Sequence, residues 1–430
     1  MRTPFAAELP VVHPGFYALF AIAVALATFT VLHQRRMKIG LAMLLSAFCL
    51  ACLLGVTPVR WWATLCTEWQ RQTLGETTPF LFVTLTSLVL LVNVLGTAMQ
   101  ESGVSQRLAP ALQHLFRSRR AALAIIPLLM GMLPTPGGIM LSAPMVRDLG
   151  DHTGIARVRQ AAINFFFRHQ LESVWPLFPA VPLIQAMLQV SPGRLLAHNL
   201  VISISGLAAG VLFLLVRGFP PPAAGANAPQ QATGTHVANL LRALWPIGLT
   251  AALYIAFGMP AALGILAATL LFLMVERVPR RQWGRIFWSS LEWDFVLLIL
   301  GALLYKLDLD AAHAVPDVAD CLKLMHMPVP VLVFALPFLV AYLTGVTMPT
   351  VAMTFPLLKV YMGGGATANL GYEALGFAGV ICGLFVTPVH LCLALSASYF
   401  GVPLGRILRL IALPSAVVAA AAFAFALLFG

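Results

Sequence analysis

Apolar residues run through this chain in long blocks, and polar residues gather in the short gaps between them. Blocks of this length suit membrane-spanning helices rather than the ~10-residue strands of a barrel. Ten spans are predicted, roughly 16–33, 38–56, 78–99, 160–190, 196–217, 238–257, 260–275, 292–306, 374–400 and 407–428. Two further apolar stretches, 121–146 and 328–358, are interrupted at their centres by Pro, Gly and Thr. The first span does not read as a cleavable signal peptide, because Arg35, Arg36 and Lys38 follow its apolar run instead of preceding it.

Composition strengthens this reading. Hydrophobic residues make up 60% of the 430, charged residues 10%, and mean hydropathy is +0.91. A soluble surface needs about 25% charged residues, so a cytosolic enzyme, a secreted disulfide scaffold and a disordered chain are excluded. The six cysteines form no framework. Cys49 and Cys52 make a lone CxxC without a second pair, and Cys382 and Cys392 lie in apolar runs and read as small hydrophobes. No metal site and no cofactor is expected. The net charge of +11 suggests nucleic acid, but the charges sit in short loops, as membrane topology requires.

Those loop charges orient the chain. With 33–38 placed inside and the sides alternating, 18 of the 26 basic residues fall inside, seven outside, and Arg168 within a span. Both termini are then outside, in an inner membrane. The parity requires 121–146 and 328–358 to enter and leave on one side, as re-entrant hairpins. Residues 218–236, rich in Pro, Ala, Gly and Gln, form a cytoplasmic linker between a first unit, 1–217, and a second, 237–430.

The two units resemble each other. PTPGGIMLSAPMV in the first answers TGVTMPTVAMTFPLL in the second. Pro144 and Pro356, Pro176 and Pro388, and Arg194 and Arg406 all share an offset of 212, and so do Ser142 and Thr354. Five spans in each unit would turn the second upside down relative to the first. The fold class expected is therefore an all-α polytopic membrane protein, with about ten spans and two re-entrant hairpins in two inverted repeats. Such plans recur in secondary transporters, where two equivalent units facing opposite ways allow two conformations of similar energy.

The hairpin tips carry the first candidate chemistry. Prolines and glycines free backbone groups that lipid cannot satisfy, so such breaks are tolerated only against protein or a water-filled cavity. Those freed groups can meet a solute, and a helix N-terminus just beyond favours an anion. Thr135, Gly137, Gly138 and Ser142 stand at the first tip, and Thr344, Gly345, Thr347, Thr350 and Thr354 at the second. With Asn164, Arg168 and Thr387 they form the expected substrate-binding set. Two ordinary Pro-kinked helices are the alternative.

The span 160–190 carries the second candidate. Arg168 and Glu172 stand i,i+4, on one helical face. Either Arg168 holds an anionic group while His169 or Glu172 carries a proton, or Arg168 and Glu172 form a structural pair. Val380 and Leu384 occupy the equivalent positions, so the repeat does not duplicate the cluster. His390 is read as a hydrogen-bonded structural residue rather than a ligand.

LPTPGGIMLSAPMV followed by INFFFRHQLESVWPLFPA resembles the signature of an uncharacterised prokaryotic membrane protein family, domain-of-unknown-function family four hundred and one. Asn164, Phe167, Arg168, His169, Glu172, Trp175, Pro176 and Pro179 match its pattern, and Phe178 departs from a tyrosine. The resemblance implies a fold similar to the ion transporter superfamily, with two hairpins lining a substrate site and a transport domain moving as an elevator against a scaffold.

Residues and resemblance together lead to an expected secondary transporter of a small organic anion, a carboxylate by preference, coupled to Na⁺ or H⁺. Its partners would be the anion, membrane lipid and a second copy through the scaffold helices, with no nucleic acid. No GxxxxGK[ST] motif supports ATP-driven transport. A membrane-embedded enzyme using His169 and Glu172 and a channel are the rival readings; the chain is not expected to be an enzyme.

Overall fold

The computed structural model describes residues 14–71, 74–105, 107, 118–132, 139–217, 234–324 and 326–430. Helices account for the regular structure, and there is no strand among the described residues. In chain order they are α1 (Pro14–Gln34), α2 (Ile39–Leu53), α3 (Pro58–Arg71), α4 (Thr78–Glu101), α5 (Arg119–Gly131), α6 (Ile139–His152), α7 (Arg157–Arg168), α8 (Ala180–Leu188) and α9 (Pro192–Gly210). Residues 218–233 of the expected linker lie outside the described residues, and 234–236 open α10 (Gly234–Phe257); α11 (Ala261–Val275), α12 (Arg280–Ser289), α13 (Trp293–Ala311), α14 (Ala314–Leu324), α15 (Val329–Thr344), α16 (Thr347–Met362), α17 (Leu370–Val386), α18 (Leu391–Phe400) and α19 (Leu404–Phe429) follow.

Six described helical segments are long and apolar enough to cross a bilayer, and two bent pairs raise the number to eight. The ten expected spans are therefore not all continuous helices. The span drawn over 160–190 breaks after Arg168, and its remainder, α8, has nine residues. The span drawn over 374–400 breaks between Val386 and Leu391. Pro388 stops α17 two residues before it, and Pro176 and Pro179 keep a helix from resuming before α8, because proline cannot donate to an i−4 carbonyl.

Three helices, α3, α12 and α14, fall where the hydropathy pattern suggested only loops. α3 turns away from α2 by 102° and α12 from α13 by 56°. Both are amphipathic and keep tryptophans outward, Trp62 and Trp69 on α3 and Trp288 on α12. Short helices with exposed tryptophans and scattered arginines suit the headgroup region.

The interrupted stretches fold as helical pairs. α5 packs on α6, and α15 packs on α16 across a turn of two residues, Gly345 and Val346. Gly345 has φ +68, the left-handed conformation that glycine adopts without a Cβ penalty. α15 also lies close along α17, because Gly379 and Gly383 offer no side chain there. A Cβ on them would come within 2.4 Å of the Phe334 carbonyl oxygen and 2.5 Å of the Phe338 carbonyl oxygen. In lipid, where apolar burial gives helices little reason to associate, small residues supply close van der Waals contact instead.

Helix boundaries recur at the 212-residue offset. Arg119–Gly131 shifted by 212 becomes 331–343, within α15; Ala180–Leu188 becomes 392–400, which is α18 to within one residue; Pro192 becomes 404, the first residue of α19. Contacts recur as well. α6 packs on α18 while α16 packs on α8, α7 on α19 while α17 packs on α9, and α2 on α13 while α11 packs on α4.

Candidate functional site

The break after α7 gathers the polar residues. Beyond Arg168 the chain runs through successive turns, with His169 N–H donating to the Phe166 carbonyl and Glu172 N–H to the His169 carbonyl. Arg168 is thus the last helical residue, and the expected i,i+4 helical placement of Arg168 and Glu172 does not hold. The turns instead bring Glu172 back onto its neighbour: His169 Nδ1 lies 3.0 Å from Glu172 Oε2. The other carboxylate oxygen accepts a short hydrogen bond from the Thr347 hydroxyl, at the first residue of α16. Arg168, buried, donates to the Met130 carbonyl at 2.8 Å.

Those contacts explain how a broken helix survives in an apolar setting. The end of α5 leaves carbonyls without i+4 donors. Arg168 serves Met130, and Trp175 Nε1 serves the Met132 carbonyl at 3.0 Å. The end of α15 is served likewise: the Thr387 hydroxyl donates to the Tyr342 carbonyl at 2.5 Å, and His390 Nδ1 lies 2.6 Å from the Gly345 carbonyl oxygen. Trp175 and Thr387 stand at the 212-residue offset and perform the same capping on equivalent helices. Gly131 is required by this packing, since a Cβ there would lie 2.0 Å from the Arg168 carbonyl oxygen.

The breaks of the two units meet. His390 Nε2 is 3.3 Å from His169 Nε2, across 221 residues of sequence, with the rings T-shaped. Cys392, two residues further along, brings its sulfur to the same point; the sulfur and the two imidazoles each offer a ligand atom within 4.8 Å of the others. Phe165 packs beside both imidazoles, with centroids 5.1 Å and 5.5 Å away. Sequence reasoning treated His390 as structural and Cys392 as a hydrophobe, and expected no metal site. The signal was the offset itself: His390 stands two residues after Pro388, the counterpart of Pro176 beside the charged cluster.

The other expected site residues divide into groups. The Ser142 hydroxyl donates to Asn164 Oδ1 at 2.6 Å, joining α6 to α7, and both residues are buried. Thr344 and Thr350 face each other at 3.1 Å within the second tip. Thr354 spends its hydroxyl on the Thr350 carbonyl of its own helix. Thr135, Gly137 and Gly138 lie outside the described residues. Elsewhere, Lys306 holds Glu68 at 3.0 Å and Asp310 at 2.9 Å. A cavity of about 970 Å³ opens there between α3, α13 and α16, and one of about 350 Å³ adjoins it through Leu81, Ala186 and Gln189. Neither is lined by His169, Glu172 or His390.

A protein-family model described as "Protein of unknown function (DUF401)" matches residues 14–429. The chain belongs to this family. The match spans both units and both breaks, so the DUF401 pattern covers the whole arrangement rather than one motif. No curated protein matches the sequence.

Proposed function

We propose that this DUF401 protein is a secondary transporter of a small organic anion, with a carboxylate as the preferred class. One observation carries the reading: two broken helices, each capping a helical hairpin, meet at buried polar residues contributed by both units. Non-helical backbone at that depth is tolerated in a membrane where it lines a substrate or ion site. Helix N-termini converge there too. α16 begins at Thr347, which already binds a carboxylate, and α18 begins immediately after His390. Their positive dipole ends favour negative charge.

The recurrent contacts support a duplicated unit. Ten crossings, with α7–α8 and α17–α18 counted as broken spans, would invert the second unit and give a scaffold of α1, α2, α4 and their images. The hairpins and broken helices would then form the moving block of an elevator. The adjoining cavities fit this division, because α8 and α16 line them on one side and α3, α4, α11 and α13 on the other. Residence in the inner membrane, outside termini and a homodimer through the scaffold belong to the same proposal. The coupling ion is H⁺, carried by His169 or Glu172, or Na⁺, held by tip hydroxyls and carbonyls.

Uptake by the purified protein in sealed vesicles tests the proposal. Saturable accumulation of a labelled carboxylate that requires an imposed H⁺ or Na⁺ gradient is the expected result, and the gradient that works names the ion. Chemically altered product would replace the carrier with an enzyme, and unsaturable flux would replace it with a channel.

A further inference from the structure

The pair of imidazoles poses an electrostatic problem, which either a shared proton or a bound cation would solve. A backbone carbonyl oxygen only accepts, so His390 Nδ1, 2.6 Å from the Gly345 carbonyl, carries the proton of its ring. A carboxylate also only accepts, so His169 Nδ1 carries a proton toward Glu172. In the neutral rings both Nε2 atoms then present bare lone pairs, and they face one another at 3.3 Å. Two lone pairs at that separation repel unless something positive lies between them.

We propose that His169 Nε2, His390 Nε2 and Cys392 Sγ bind a transition-metal cation of the Zn²⁺ class. Three independent features agree. The first is spacing: two nitrogens at Zn–N distances of ~2.05 Å in a tetrahedral shell stand about 3.3 Å apart, as these do. The sulfur lies within 4.8 Å of both, and a tetrahedral site asks for about 3.6 Å. The second is orientation. Metal-ligating histidines commonly give their remaining N–H to a carboxylate or a backbone carbonyl, which fixes the ring and its tautomer. Here one ring has each kind of partner. The third is ligand chemistry: imidazole and thiolate together select Zn²⁺ or Cu⁺ over Na⁺, Ca²⁺ and Mg²⁺, which prefer oxygen.

Binding releases one proton, from the Cys392 thiol, because only the thiolate is a ligand while both imidazoles enter neutral. Three protein ligands leave one position of a tetrahedral shell open, for water or an anionic group of a solute. The cation ties the break after α7 to the start of α18, and so joins the two units. This inference does not rest on the transport reading, since a protein that moves nothing would bind the metal equally well.

The test uses the full chain, purified in detergent, stripped with a chelator and titrated with Co²⁺ as a spectroscopic stand-in for Zn²⁺. One equivalent is expected, with ligand-field bands of tetrahedral intensity and a thiolate-to-cobalt charge-transfer band. Cys392→Ser should abolish the charge-transfer band. His390→Gln should weaken binding at least about tenfold, as altering a ligand environment does. Size-exclusion profiles taken alongside separate lost binding from lost folding, and Cys392→Ser, the milder change, keeps the test valid if His390→Gln misfolds. A monodisperse wild-type protein that binds no Co²⁺, as expected if the two rings share a proton instead, overturns the proposal. A charge-transfer band that survives Cys392→Ser overturns it too.

Discussion

Single side chains in this protein mend the damage done by broken helices. Trp175 and Thr387 each donate one hydrogen bond to a carbonyl that the break of a neighbouring helix leaves open. Trp175→Phe removes that donor while keeping most of the ring, and should cost about 1 kcal/mol, read as a lower unfolding temperature in a thermal-shift assay; an unchanged temperature would show that the bond carries nothing. Gly131→Ala is a harsher change, because the new methyl would meet the Arg168 carbonyl oxygen. Loss of monodisperse protein is expected, and a normally folded variant would mean that α5 and the break after α7 are not pressed together. Glu172→Gln keeps the size but weakens the carboxylate–imidazole contact. Cobalt affinity should fall about 10- to 100-fold with the folding profile intact, and an unchanged affinity would remove Glu172 from the orienting role. The sequence singled out Arg168, His169 and Glu172 because charge is costly in an apolar run, and paired Glu172 with Arg168. It misassigned the partner of Glu172, since i,i+4 arithmetic presumes a helix that in fact ends at Arg168.

Helices here are shaped by what they must approach. α17 keeps glycine at 379 and 383 so that the backbone of α15 can lie against it. Gly379→Leu would drive those helices apart and should destroy the second hairpin's seat, seen as aggregation on size exclusion; a stable variant would show that the close approach is dispensable. α3 and α12 illustrate the opposite constraint. Trp62, Trp69 and Trp288 face outward from them, an arrangement that suits the headgroup region. Tryptophan fluorescence in vesicles should be quenched most by lipids brominated near the headgroup, and greatest quenching by tail-end bromines would place α3 and α12 in the hydrocarbon. Both helices escaped the hydropathy pattern because amphipathic segments have low mean hydropathy. The hairpins did not escape it, since paired Pro, Gly and Thr inside apolar runs mark a reversal locally.

At the scale of the whole molecule, several helix contacts recur at the 212-residue offset, as α6 with α18 and α16 with α8 do. If the units are inverted, Arg194 and Arg406, both exposed and 212 residues apart, lie on opposite faces. In a background without native cysteines, Arg194→Cys should react with an impermeant thiol reagent from outside and Arg406→Cys only from inside. Labelling of both from one side would leave the units parallel. What the sequence by itself determined is local: apolar blocks long enough for a bilayer, prolines that stop helices, glycines that permit turns, and a repeated spacing. Each depends on residues close along the chain, so each is written where it acts. Only the tertiary structure decided that His169 meets His390 and Cys392, that Thr347 binds Glu172, and that Arg168 serves the end of α5. Those contacts join residues tens to hundreds of positions apart, and their geometry follows from how whole helices pack, which no local pattern specifies.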